Sequence, residues 1–245
     1  IIKFTKKIAI ASKEPIICAW NLIKNELEKN KTEFIPVDSE HFSVWYALKG
    51  KSTTNIEKIF LTASGGSLFK IDQKKYKNLK LNQILNHPNW KMGQKITVDS
   101  STMMNKVFEV IEAKKLFNLD YKKLSILIHP KSYLHAIVKF NDGMTKIIAH
   151  DTTMEIPIFN TLYNENLKSI KTKNLNLENL NDLKLSKIDT KKFPLTKILK
   201  ILPNKNSLFE TVLVSANDQL VKLFLNKEIA YTDISKKIMR LVSLK

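Results

Sequence analysis

The sequence holds one cysteine, Cys18, so it can form neither an internal disulfide nor a multi-cysteine metal site. A reducing compartment is compatible with that count. Arginine is equally scarce: of 41 basic residues only Arg240 is arginine. A protein that reads DNA sequence is expected to keep arginine for bidentate contacts to guanine, because lysine has no planar fork. The net charge of +18 attracts phosphates of any kind. The lysines, however, are spread along the chain beside abundant Asn and Ile, which reads as compositional bias, and no nucleic-acid partner is expected. Glycine numbers five in 245 residues, where ordinary usage of ~7% would give about 17. Gly50, Gly65, Gly66, Gly93 and Gly143 cannot be assembled into a G-x-G-x-x-G turn or a P-loop. No run reaches the roughly 18 uncharged apolar residues of a membrane span, and no membrane partner is expected. The opening IIKFTKKIAIASKEP has neither the apolar stretch nor the cleavage site of a signal peptide. It also lacks an initiator Met, so the chain is expected to be a piece of something longer.

What is present suits a globular protein of one large domain or two modest ones: 43% hydrophobic and 26% charged residues. A Ser cap, Pro15 and apolar Ile16, Ile17, Trp20 and Ile23 predict an amphipathic helix over 12–29. A strand at 34–37 runs into Asp38-Ser39-Glu40-His41, with a helix following through Trp45 to Leu48. A buried strand at 58–62 ends at Ala63-Ser64-Gly65-Gly66. Residues 70–86 read as a helix stopped at His87-Pro88. Residues 95–98 read as a strand, with Asp99-Ser100-Ser101-Thr102 capping a helix that runs to about Phe117. A strand at 124–128 and a hairpin over 134–149, turning at Asn141-Asp142-Gly143, follow. A connection over about 163–192 leads to two or three helices between 195 and 244. The pattern predicts an α/β or α+β domain with a mixed sheet, followed by a small all-helical region.

Several constellations carry chemistry. Asp38-x-Glu40 at a strand end can converge on one divalent cation, although acidic strand ends are common. Glu109 lies between Phe108 and Val110, where a carboxylate is easier to explain if something cationic meets it. Glu112 reads as a solvated residue paired with Lys106 or Lys115. Ser64-Gly65-Gly66 can turn backbone N–H groups inward as an anion nest. Ser100, Asn105 and Lys106 together exceed what capping requires and suggest an anion site at a helix start. His87-Pro88-Asn89-Trp90-Lys91-Met92-Gly93 looks like a lid, with ordinary core as the alternative for Trp90. His129 and His135 read more simply as hydrogen-bonded core, and Met103 and Met104 as packing.

The segments VDSEH (37–41), TASGG (62–66), HPNWKMG (87–93), KITVDSSTMMNKVFEVIEA (95–113) and IHPKSYLHAIV (128–138) resemble the 1-deoxy-D-xylulose 5-phosphate reductoisomerase family. The likeness runs from about Ser12 to Ile158 and more faintly through SANDQ at 215–219. It implies an oxidoreductase that makes 2-C-methyl-D-erythritol 4-phosphate in non-mevalonate isoprenoid synthesis, by metal-assisted rearrangement and then reduction with NADPH. Asp38, Glu40 and Glu109 match the ligands of Mg²⁺ or Mn²⁺. Ser39, Ser64, His87, Ser100, Asn105 and Lys106 match contacts to the phosphosugar. Lys13, Trp90 and His129 match catalytic, lid and pocket-lining positions; Ser12, Glu14, Met92 and Gly93 match the cofactor side. The resemblance further implies a homodimer, in the cytoplasm or a plastid-type organelle. The divisions implied are residues 1–35 as a remnant of the NADPH-binding domain, 36–158 as the catalytic domain, 159–192 as a connection and 193–245 as an incomplete helical domain.

There are departures. Ser67 stands where the family usually has proline, Val107 where it has glycine, and Thr152-Thr153-Met154 where it has Pro-Asp-Met; Ser12-Lys13-Glu14-Pro15 replaces Asn-Lys-Glu-Ser. The glycine-rich turn of the dinucleotide domain is missing, so the chain is expected to hold metal and phosphosugar but to bind NADPH poorly. Val107 and the missing segments leave an inactive descendant that only binds a phosphorylated ligand, or scaffolds a dimer, as the alternative.

Overall fold

In the computed structural model, which describes residues 1–163, 168–205 and 207–244, the chain opens on two short parallel strands. These are β1 (Lys7–Ile10) and β2 (Glu33–Pro36), joined by helix α1 (Lys13–Asn30). Pro15 sits in the first turn of α1, where its missing N–H leaves no bond unmade, and the helix buries Ile16, Ile17, Trp20 and Leu27. Ser12 occupies the cap position, but its hydroxyl accepts no bond from the helix. Helix α2 (Ser39–Ala47) begins directly after β2, and strand β3 (Ile56–Ala63) follows.

Between 70 and 86 the expected single helix is replaced by a 3₁₀ stretch at Gln73–Asn78 and one short α-helical turn, α3 (Leu81–Leu85). The Asp72 carboxylate accepts the Lys74 N–H at 2.9 Å and starts a tight turn, and the run supplies too few apolar residues for a buried stripe. The larger correction concerns Lys95–Val98, which is helix and not strand. Its β-branched residues read as extended, but the Gly93 carbonyl accepts both the amide and the hydroxyl of Thr97, at 3.1 and 2.8 Å. That opens helix α4 (Gln94–Thr102), which carries Val98 into the core. Ser100, Ser101 and Thr102 therefore lie at the end of a helix and not at its start. Met103 then adopts the left-handed conformation, φ 65°, and α5 (Met104–Phe117) begins immediately.

Strand β4 (Leu124–Ile128) pairs parallel to β3; β5 (Leu134–Phe140) and β6 (Thr145–Ala149) form the expected hairpin. Helices α6 (Glu155–Leu162) and α7 (Leu177–Asn181) and the two-residue strand β7 (Ser186–Lys187) complete this part. The result is one mixed five-stranded sheet in the order β6-β5-β3-β4-β7. The connection expected over 163–192 is largely exposed where described, and its residues 164–167 lie outside the described residues. A 3₁₀ segment at Pro194–Lys200, then α8 (Phe209–Leu225) and α9 (Tyr231–Ser243), make the helical C-terminal region.

Two cores share α5. On the sheet side Val110, Ala113 and Phe117 pack with Ile59, Leu61, Ile126 and Val138. On the other side Val107, Phe108 and Ile111 pack with Ile198, Leu213, Ile234 and Ile238. Each such buried side chain contributes about 1.5–3 kcal/mol. A helix covered on both sides has no solvated face, so Glu109 and Glu112 are taken out of water with their neighbours. No helix among the described residues is long and apolar enough to cross a membrane.

Candidate active site

A cleft of about 260 Å³ opens where the end of β3, the starts of α1 and α2, and the first turns of α5 meet. Asp38 occupies the cap position of α2, with Ser39 and Glu40 in its first turn, while Glu109 projects from the second turn of α5. One oxygen each from Asp38, Glu40 and Glu109 lies within 4.8 Å of the other two. Two lysines enter the same space. Lys13 contacts Asp38 at 2.8 Å, and Lys106 bridges Glu40 at 3.0 Å and Glu109 at 2.5 Å. Asn105 donates to the other Glu109 oxygen, and the Ser39 hydroxyl donates to Glu40 at 2.7 Å.

The electrostatics follow from burial. Burial alone would raise the Asp38 carboxyl, but the Lys13 ammonium, with His41 behind it, outweighs that and holds it well below the usual carboxylate range. Lys13 and Lys106 are held charged: their acidic neighbours overcome a burial that works to discharge them. Glu109 goes the other way. Burial first, and the nearby Glu40 second, push it up to about 8 in spite of Lys106. Glu112 is likewise pushed up to about 8 by burial, against the pull of His41. Four carboxyl groups thus face two ammonium groups; Lys13 holds Asp38 ionised, while burial raises Glu109 and Glu112.

The opposite wall gathers hydroxyl, amide and ammonium groups. Gly65 and Gly66, at φ 87° and 70°, turn the chain after β3, and the Ser64 hydroxyl accepts the Gly66 N–H at 3.0 Å. Gly66 lies so close to α4 that a Cβ there would meet the Ser100 carbonyl at 2.6 Å. His87 Nδ1 accepts the amides of Asn89 and Trp90, at 3.2 and 3.0 Å, so it carries no proton. Its Nε2–H must then donate to Ser64 Oγ, 3.0 Å away. With both acceptor positions of Ser64 filled, its hydroxyl hydrogen is free for a ligand. Burial pushes His87 down to about 4, so this tautomer holds at neutral pH. Ser100, Asn105 and Lys106 line the cleft beside Ser64.

Two family models match: one described as the 1-deoxy-D-xylulose 5-phosphate reductoisomerase C-terminal domain over residues 34–117, the other as the DXP reductoisomerase C-terminal domain over 151–245. The chain belongs to the 1-deoxy-D-xylulose 5-phosphate reductoisomerase family. A curated reductoisomerase of Pelagibacter ubique is 60% identical over 241 residues, covering 98% of this chain and 62% of the relative. One from Sulfurihydrogenibium sp. is 38% identical and covers 98% and 63%. Among solved structures, the reductoisomerase of Zymomonas mobilis in complex with NADPH matches with a TM-score of 0.88 at 29% identity, over 98% of this chain and 62% of that one. A DOX-P reductoisomerase in complex with NADPH, fosmidomycin and magnesium matches with a TM-score of 0.90 at 33% identity, over 100% and 62%. The chain therefore spans about three-fifths of the length of these reductoisomerases.

The residues that resemble reductoisomerase site positions divide in two. Lys13, Asp38, Ser39, Glu40, Ser64, His87, Trp90, Met92, Ser100, Asn105, Lys106 and Glu109 all line the cleft. Ser12, Glu14, Gly93 and His129 do not. Ser12 is exposed, Glu14 turns to Lys95 at 2.7 Å, and Gly93 caps α4. His129 is fully buried, with Nδ1 against the Lys184 carbonyl at 3.2 Å. Besides His87, the histidine lining the cleft is His135, whose ring stacks on His150 with centroids 3.7 Å apart and meets Trp90 edge-on. The solvated reading of Glu112 is also overturned: it is 1% exposed and faces His41. Its two-sided helix conceals it, while His41 was visible only as the fourth letter of DSEH. Val107, where reductoisomerases usually carry glycine, points into the core shared with the C-terminal helices and away from the cleft.

Proposed function

We propose that this chain carries the metal- and phosphosugar-binding part of an NADPH-dependent oxidoreductase that converts 1-deoxy-D-xylulose 5-phosphate to 2-C-methyl-D-erythritol 4-phosphate. The observation that carries the reading is the union, in one cleft, of a carboxylate triad short of positive charge and a hydroxyl-rich anion pocket. The oxygen donors of Asp38, Glu40 and Glu109 suit Mg²⁺ or Mn²⁺, and the Lys106 ammonium already stands between two of them as a cation does. When bound, the ion supplies a Lewis acid for the substrate carbonyl.

The remaining roles belong to the chain's own residues. Lys13 keeps Asp38 ionised, and Ser39 orients Glu40. Ser64 offers its free O–H to a phosphate oxygen, and Ser100 and Asn105 add polar contacts at the start of α5, whose helix end favours anions. Lys106, released from Glu40 and Glu109, supplies the charge opposite the phosphate. Trp90 covers the cleft and excludes water. Of the four residues assigned to NADPH, Met92 lines the cleft.

The same reading includes the divisions 1–35, 36–158, 159–192 and 193–245, a cytoplasmic or plastid-type location, and a homodimer. Exposed Ile147 on the edge strand β6, with Met144, Ile158 and Leu162 nearby in the chain, supports a dimer contact through the sheet-bearing part. An inactive descendant loses one of its two supports, since Val107 packs into the core and does not crowd the cleft. Calorimetric titration with deoxyxylulose 5-phosphate, with and without Mn²⁺, tests the reading. Metal-dependent binding that Glu109→Gln abolishes is expected; binding that ignores both changes would overturn it.

A further inference from the structure

The residue pair that no role above uses is His41 with Glu112. Both are buried, at 0% and 1% exposure. His41 Nε2–H donates to the backbone carbonyl of Glu109 at 2.8 Å, so the ring is pinned to α5 at the residue whose side chain enters the triad. The other ring nitrogen, Nδ1, faces two carboxylates: Glu112 Oε2 at 3.5 Å and Asp38 Oδ2 at 3.9 Å. Among the described residues neither Nδ1 nor Glu112 Oε2 has a hydrogen-bond partner, so each is left to the other at 3.5 Å. The ring therefore ties α2 to α5 between two of the three carboxylates that face the cleft, with its second nitrogen poised between a triad member and an acid outside the triad.

We propose that Glu112 is a positioning residue for the metal site, acting through His41. By meeting Nδ1 at 3.5 Å, Glu112 fixes the ring between α2 and α5 and leaves Asp38 Oδ2 turned toward Glu40 and Glu109. The carboxylate–histidine pair behind the triad thus sets the spacing of Asp38 and Glu109, as outer-shell partners do for ligands elsewhere. The inference rests on the triad being a divalent-cation site and adds the device that holds it in register.

The test is Mn²⁺ binding to the full chain, read by electron paramagnetic resonance without substrate or NADPH, alongside inorganic phosphate binding and circular dichroism. Glu112→Leu, which removes the polar partner, is expected to weaken Mn²⁺ about 10–100-fold. Glu112→Gln, which keeps a polar partner of the same length for Nδ1, should lie much closer to the parent. His41→Leu should match Glu112→Leu, and the double variant should be no worse than either, because the two act in series. Phosphate affinity and helix content should be unchanged. Parent-like Mn²⁺ affinity in Glu112→Leu, additive losses in the double variant, or loss of phosphate binding and helix content with the metal would each overturn the positioning role. Failure of the parent chain itself to bind Mn²⁺ would instead bring down the functional reading, and this inference with it.

Discussion

Protonation is decided residue by residue in this cleft. His87 shows how: two backbone amides occupy Nδ1, which forces the proton to Nε2 and frees the Ser64 hydroxyl for a ligand. Because burial depresses His87 to about 4, its NMR titration midpoint is expected near that value. The sign follows: a histidine held neutral contributes stability above its unfolded value of about 6.5, and that contribution is lost as pH falls toward 4. Ser64→Ala should weaken phosphate binding about 10-fold or more, the worth of a hydrogen bond to a charged group, with the metal affinity unchanged. Glu109 and Glu112 run in the opposite direction. Both are pushed up to about 8, so the metal-free protein is stabilised by their protons below about pH 4.5, and this is lost as pH rises through 8. The melting temperature of the metal-free chain should fall between about pH 5 and 8, and Mn²⁺ should restore it. Of these groups, Glu109 was legible because Phe108 and Val110 flank it. Glu112 was not, since nothing local says that a helix has lost its solvent face to a second core.

Among the elements, the junction of β3, α4 and α5 determines the cleft. The hairpin, strands β2, β3 and β4, and helices α1, α2 and α5 could be read from periodicity and turn residues, but β1, α4 and α6 could not. The run Lys95-Ile96-Thr97-Val98 has strand propensity, and its helix depends on Gly93 accepting two bonds from Thr97 and on a core partner supplied from distant residues. The consequence is that Ser100 reaches the cleft from a helix end, which leaves its carbonyl against Gly66. Gly66→Ala should be destabilising by about 2 kcal/mol or more, because it combines a positive φ with a Cβ driven into backbone. Urea denaturation measures this. Phosphate binding by the folded fraction should also be lost, whereas Gly143→Ala, at φ 85° with open space around it, should only destabilise.

Across the whole molecule, Lys95 joins three separate parts of the chain. Its ammonium meets Glu14 of α1 at 2.7 Å, Asp99 of α4 at 3.0 Å and Asp218 of α8 at 3.0 Å. Asn217 of α8 supports Asp99 at 2.8 Å, and Tyr231 of α9 donates to Ser101. The C-terminal helices are thus fastened to the helix that carries Ser100. Lys95→Met leaves Asp99 buried without its countercharge and should be destabilising by about 3 kcal/mol, with faster hydrogen exchange in α8. No spacing in the sequence foretold this node, since its members lie up to about two hundred positions apart.

The proposed function requires Asp38, Glu40 and Glu109 to form a cation site beside an anion pocket, with Lys106 displaced from Glu40 and Glu109. A crystal structure of the chain with Mn²⁺ and deoxyxylulose 5-phosphate, read by anomalous scattering, tests it most directly. The account predicts one manganese about 2.1 Å from an oxygen of each of Asp38, Glu40 and Glu109, with Lys106 turned from Glu40 and Glu109 to the phosphate beside Ser64. Manganese bound elsewhere, or Lys106 still bridging the two glutamates over an occupied phosphate pocket, would contradict it.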